Sequence, residues 1–358
     1  MVLLLGPARI LQRTLGDNAL ATQTANQSAP SPDLPRIAII ATGGTIASAA
    51  PDKTQLADYK VSVSANDLVS AVPGLEELAQ FEFEQVCNIE SHEIDDEIML
   101  RLAASVQRFC DRDDIDGVVI THGTDTLEET AFFLHLTIDT IKPVVMVGAM
   151  RPATALSADG PLNLFHAVVV ASNQASASRG VLVVMNDRIV SARHVTKGHA
   201  NAVDAFVPTE FGYLGLVFGR WVQYQSRIDM PHTAFSDFKR GFTHDLAAVD
   251  IIYDHQGAKT HHYGASIKNV KGIVLAATGQ GSLSPKASQG ALMAKEVGVV
   301  VVRSSRVWQG VVRPSVKDEQ FGTLAAYTLN PAKARVLLRL ALQRTDSREQ
   351  IQKWFAIY

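Results

Sequence analysis

Thr45, Ser91, Thr124 and Asp125 each stand where a short apolar run gives way to a polar or glycine-rich turn, while Tyr59 and Lys197 stand in loops. This set is rich in hydroxyls and has no metal-ligand spacing, and the chemistry it suits is acyl transfer. A threonine hydroxyl is a poor nucleophile at neutral pH and needs a neighbouring base, for which a desolvated lysine or a tyrosine in a hydrogen-bond chain are the candidates. A Gly-x-Ser-x-Gly elbow, a G-x-G-x-x-G fingerprint and a P-loop lysine are all missing, which removes the commonest competitors. His255, His261 and His262 lack cysteine or carboxylate partners at metal-site spacing, so neither a metal nor another cofactor is expected.

The elements that must hold these groups read as α/β. In Gly117 to Thr130, Val118 to Ile120 is a buried strand, Thr121 to Thr126 its loop, and Leu127 to His135 the start of a helix. Ligands collect at the carboxyl edge of open α/β sheets, where such a loop offers hydroxyls, a carboxylate and backbone N–H groups. Two readings of the loop stand side by side. Asp125 or Thr126 caps the helix with Glu128 or Glu129 in its first turn, or the same residues present chemistry. Arg36 to Ala41 is a strand ending in Thr42-Gly43-Gly44-Thr45, where glycine lets backbone approach a ligand. Phe81 to Ile89 delivers Ser91 and His92, Pro143 to Val147 delivers Gly148 and Ala149, and Gly180 to Met185 repeats the unit. The aperiodic stretch from Ser48 to Val63, with Tyr59, reads as a loop able to fold over the first turn. Phe206 to Trp221, with glycines between aromatics, suits a hairpin. Pro285 to Glu296 and Ala332 to Leu342 read as helices, the latter with Lys333, Arg335 and Arg339 on its solvated side.

The expected fold class is therefore two α/β domains. A larger doubly wound parallel-sheet domain covers 36–228, a linker covers 229–247 where periodicity fades, and a smaller α/β domain covers 248–358. At 358 residues the chain has ample length for two cores. Its 33 basic and 36 acidic residues give a formal charge of -3, which points away from nucleic acid and toward a small-molecule substrate. No later segment reaches the roughly 18 apolar residues of a membrane span. Residues 1–35 allow two readings: an export signal closing on Ala19-Leu20-Ala21 but interrupted by Arg9 and Arg13, or a disordered extension. The first implies a periplasmic or secreted protein, the second a cytoplasmic one. Cys87 and Cys110 are too few for a disulfide framework and read as small apolar fillers.

Two segments, Ala41 to Ala47 (ATGGTIA) and Gly117 to Leu127 (GVVITHGTDTL), resemble the two signature segments of the bacterial L-asparaginase and glutaminase-asparaginase family. The likeness continues through Lys142 to Pro152, Ser157 to Pro161, Val195 to Lys197, Arg303 to Val307 and Thr328 to Arg335, and it is weakest over Thr243 to Lys271. The resemblance implies an L-asparagine amidohydrolase with Thr45 as nucleophile, Tyr59 activating it from a mobile loop, and Thr124, Asp125 and Lys197 as a supporting triad. It also implies that Ser91 holds the substrate α-carboxylate and Asp125 its α-ammonium, that the backbone at Gly123 and Ala149 meets the amide, and that the protein is a homotetramer. The chain departs from the family where His92 replaces the usual Gln or Glu and Gln280 the Asn often donated by a neighbouring subunit. The loop Arg313 to Phe321 is also shorter, leaving Glu319 as candidate for the usual active-site glutamate. Cys110 matches half of a disulfide found in some secreted members, with Thr140 at the other half.

Overall fold

The computed structural model describes residues 34–49, 52–54, 60–61, 63–240 and 246–358. The signal-like stretch before residue 34 and the loop tyrosine, Tyr59, lie outside these residues. In chain order the strands are β1 (Arg36–Gly43), β2 (Ser48–Ala49), β3 (Lys60–Val61), β4 (Gln80–Ile89), β5 (Gly117–Thr121), β6 (Val144–Val147), β7 (Val181–Met185), β8 (Arg188–Ser191), β9 (Val195–Lys197), β10 (Phe206–Pro208), β11 (Gly215–Phe218), β12 (Trp221–Tyr224), β13 (Val249–Tyr253), β14 (Gly272–Ala277), β15 (Val300–Ser305) and β16 (Thr323–Ala325). The helices are α1 (Ala65–Ser70), α2 (Asp96–Cys110), α3 (Leu127–Thr137), α4 (Gly160–Ala171), α5 (His261–Ser266), α6 (Pro285–Glu296), α7 (Val316–Phe321), α8 (Pro331–Arg344) and α9 (Arg348–Ile357).

Eight strands form the larger sheet, in the order β12-β11-β8-β7-β6-β5-β1-β4. The run from β4 through β7 is parallel and the hairpin end from β8 onward antiparallel. The β-branched run of β1 explains its central place: Ile37, Ile39 and Ile40 are fully buried, each worth roughly 1.5–3 kcal/mol relative to exposure. The chain leaves β1 toward β4 and leaves β5 toward β6, so the connections diverge between two adjacent strands. That divergence is the switch point where open α/β sheets hold ligands. One face of the sheet packs on α2 and α3, with α8 lying against α3, and the other on α1 and α4. The second sheet, β13-β14-β15-β16, is wholly parallel, with α5 and α6 on one face and α8 on the other. The fold is α/β with a larger and a smaller parallel-sheet part.

Local capping sets the helix starts. Asp95 accepts from the Ile98 N–H at α2, Ser284 from Ala287 at α6 ahead of Pro285, and Asn330 from Lys333 at α8 ahead of Pro331. Three expectations need correction. The hairpin lies later than Phe206, at β11–β12, turning on Gly219 at φ +55°; Phe206 instead opens β10, which pairs with β9. At α3, Thr126 occupies the cap position without a side-chain cap bond, because its hydroxyl turns to Ser91. On α8, Lys333 and Arg339 are buried rather than solvated, Arg339 in a bidentate pair with Asp96 and Lys333 against backbone carbonyls. Cys87 and Cys110 are free thiols. Burial pushes Cys110 up to about 11 despite a hydrogen bond with Thr140.

Candidate active site

Three turns meet at the carboxyl ends of neighbouring strands. After β1 the chain turns through Gly43 (φ +102°) and Gly44 (φ +79°), a left-handed region that glycine enters without strain. The Gly44 N–H donates to the Ile89 carbonyl at 3.0 Å, tying this turn to the end of β4. A Cβ on Gly44 would lie 2.2 Å from the Cα of Gly123, and a Cβ on Gly123 would lie 2.8 Å from Ser91 Oγ. Glycine at both positions therefore allows the three turns to interlock. Thr45 follows at the start of a short 3-10 turn and is only 7% exposed.

Ser91 connects the second turn to the third. Its Oγ accepts from the Asp125 N–H at 3.1 Å and from the Thr126 N–H at 3.4 Å, while its carbonyl accepts from Thr126 Oγ1 at 2.8 Å. The N–H groups of the two residues near the start of α3, Asp125 and Thr126, are thus satisfied by a serine from another strand. With its lone pairs engaged this way, the Ser91 hydroxyl keeps its own proton to donate into the cleft.

Lys197, at the end of β9, is the cation of the site. Its Nζ lies 3.0 Å from Thr124 Oγ1 and 2.5 Å from Asp125 Oδ1. The lysine side chain is 17% exposed and Asp125 61%, so the pair is half covered in this chain. Thr45, Ser91, Gly123, Thr124 and Asp125 line one small cleft together with Gly44 and Glu90. This cleft is lined by the hydroxyl residues Thr45, Ser91 and Thr124 and by the carboxylate residues Glu90 and Asp125, with Lys197 bonded to Asp125 at one side.

The remaining residues of interest are placed differently. His92 follows Ser91, but its side chain is 59% exposed, with Nδ1 3.4 Å from Glu90 Oε2. Ala149 is fully buried in the turn after β6. Gln280 is exposed and lines a separate cleft of about 680 Å³ with Arg303 and Arg313, away from Thr45 within one chain. Glu319 lies on α7 in the same part of the smaller sheet, where its carbonyl accepts from Lys295.

The structure adds residues that the sequence did not single out. Asp159 occupies the cap position of α4 without a side-chain cap bond, because its carboxylate turns back to accept from the N–H groups of Met150 and Arg151, both at 2.9 Å. Asn163 Nδ2 donates to the Gly148 carbonyl at 3.1 Å, so the Gly148–Ala149 turn is held from α4. His122, beside Gly123, is fully buried and keeps Nδ1 2.7 Å from the Gly123 carbonyl oxygen; burial lowers its pKa to about 4, so the ring is neutral at pH 7. A neutral histidine adds no positive charge against Lys197.

The same arrangement of segments recurs in known proteins. Residues 36–230 match the family model described as Asparaginase, N-terminal, and residues 248–355 the one described as Glutaminase/Asparaginase C-terminal domain. The chain is 46% identical to L-asparaginase 2 of Bacillus subtilis (strain 168), over 91% of this chain and 87% of that protein. It is 44% identical to L-asparaginase 2 of Escherichia coli (strain K12), over 95% and 98%. The crystal structure of a probable cytoplasmic L-asparaginase from Campylobacter jejuni superposes with a TM-score of 0.88 at 43% identity, covering 90% of this chain and all of that one. With both family models matched in order across nearly all the described residues, the chain belongs to the bacterial type II-like asparaginase family.

Proposed function

We propose that this protein hydrolyses the side-chain amide of L-asparagine to L-aspartate and ammonia, with Thr45 as the attacking residue. The observation that carries the reading is the single cleft in which Thr45 faces Ser91, Thr124 and Asp125, with Lys197 bonded to the last two. In the first half-reaction Thr45 Oγ bonds to the amide carbon, the C–N bond breaks, and the nitrogen leaves as ammonia with the hydroxyl proton. Water then cleaves the ester, returning the proton to Thr45. Ser91 suits the substrate α-carboxylate, since its proton is left for the cleft, and Asp125 suits the α-ammonium. A zwitterion needs both charges paired to enter a closing site. Backbone N–H groups at Gly123 and Ala149 are the donors for the developing oxyanion. Lys197, donating to Thr124 and to a carboxylate, is placed to orient Thr124 rather than to take its proton. Tyr59 keeps its proposed part in activating Thr45.

The same reading takes the working form as a homotetramer, with residues near Gln280 completing a neighbour's cleft. Its support is that Gln280 lies off the Thr45 cleft and that Asp125 remains 61% exposed in one chain. Light scattering at micromolar concentration checks this, and a monomer mass would overturn it.

Ammonia release from L-asparagine and L-glutamine by the purified protein tests the chemistry. Turnover of asparagine is expected, and Thr45→Ala should lose at least about a thousandfold in kcat. Full activity in that variant would remove Thr45 from the mechanism. His92→Gln in the same assay reads whether this departure from the family pattern sets the ratio of the two substrates.

A further inference from the structure

The strand that carries Lys197 has an unusual support. In the antiparallel β9–β10 ribbon the His194 carbonyl accepts from the Thr209 N–H, and the Gly198 N–H donates to the Ala205 carbonyl. Bonded residues alternate along an antiparallel pair, so the Val195 carbonyl points away from β10, toward an open edge. There the Nζ of Lys333 donates to the Val195 carbonyl and, at 3.1 Å, to the Arg193 carbonyl. Lys333 is 2% exposed, and burial lowers its amine to about 7. A neutral amine still has two N–H bonds and an ammonium three, so both carbonyls are served in either state.

One turn earlier, Asn330 performs a second tie. Its Oδ1 accepts from the Lys333 N–H at 2.9 Å, and its Nδ2 lies 3.3 Å from Glu128 Oε1 and 3.4 Å from Thr196 Oγ1. Glu128 sits in the first turn of α3, three residues after Asp125, and Thr196 immediately precedes Lys197. The start of α8 therefore grips both sides of the Lys197–Thr124 contact, one through α3 and the other through β9.

We propose that Asn330 and Lys333 are positioning residues for catalysis, holding the β9 backbone against the start of α3 so that Lys197 Nζ stays on Thr124 and Asp125. The proposal rests on the reading of Lys197 as part of the catalytic apparatus. It assigns to the smaller sheet's closing helix a share in the geometry of a site built from the larger sheet and the β9–β10 ribbon.

The test compares Asn330→Ser, Thr196→Val, their double variant, Lys333→Met and Lys197→Met, each assayed for kcat and KM on L-asparagine with its melting midpoint. Serine keeps a cap for α8 while losing both amide contacts, and valine keeps the shape of threonine. Asn330→Ser, Thr196→Val and Lys333→Met should each lower kcat about tenfold or more with KM within about twofold, and the double variant should be no worse than its worse parent, as for two halves of one contact. Unchanged kcat in Asn330→Ser and Lys333→Met, or losses that multiply and track the melting midpoint, would overturn the proposal. If Lys197→Met keeps full kcat, the reading of the site fails and the clamp with it. If Lys197→Met is crippled while the clamp variants are not, the site stands and the clamp alone is wrong.

Discussion

Gly44 and Gly123 stand back to back, so close that a single Cβ on the first would lie 2.2 Å from the Cα of the second. Gly44→Ala should therefore push the Thr45 turn away from the Thr124 loop, and the φ of +79° adds backbone strain. A stability loss of about 1–3 kcal/mol with activity near zero is expected. Urea unfolding and ammonia release together check this, and a stable, active alanine variant would contradict the packing.

Lys197→Met should separate activity from stability. An ion pair with one partner 61% exposed is worth at most about 1 kcal/mol to the fold. Losing the donor that positions Thr124 should nonetheless reduce kcat by about a hundredfold. Calorimetry beside steady-state kinetics reads both, and a variant that unfolds but turns over normally would reverse the assignment.

Ser91→Ala removes the acceptor of the Asp125 and Thr126 N–H groups and the proton offered to the cleft. The expected signature is a KM for asparagine raised at least about tenfold, with a stability cost of about 1–3 kcal/mol for N–H groups left unpaired. A KM unchanged from wild type would take Ser91 out of substrate binding.

Acid should weaken the fold through histidines buried as neutral rings. Burial lowers His122 to about 4 and His194 to about 3, the latter helped by the charges of Arg193 and Lys333, and His135 falls well below its ordinary 6.5 with His232 beside it. Folded values below the unfolded value mean that the unfolded chain binds protons first. The stabilisation is full above pH 6.5 and is lost as pH falls toward 4 for His122 and 3 for His194, at up to about 1.4 kcal/mol per group and pH unit. Urea midpoints at pH 7.5, 6 and 5 should fall steadily; a flat series would show these rings protonated in the native protein.

The site was legible in the sequence where its signals are local. Thr45, Ser91, Thr124 and Asp125 follow apolar runs, and glycines punctuate the turns that display them, so strand-end position could be read without knowing any contact. Pro285–Glu296 forms as a helix over the expected residues because proline fixes its first turn. What stayed hidden depends on distant partners. The Lys333 contact to Val195 spans 138 positions, and a helical stripe that scores lysine as polar sends it to solvent. Asp159 holds the Met150 and Arg151 N–H groups, nine and eight positions back, which no local pattern points to. The Ser91 carbonyl drew the Thr126 hydroxyl away from capping α3 for the same reason: a donor group is satisfied by whatever the fold brings near.

The order β4-β1-β5 carries one more consequence. Ser91, Thr45 and Thr124 rise from three consecutive strands, and neighbouring strands lie about 4.8 Å apart. The loops do not keep that pitch: Ser91 Oγ lies 3.1 Å from the Asp125 nitrogen, so the turns after β4 and β5 close over the end of β1 and leave a mouth much narrower than the sheet beneath it.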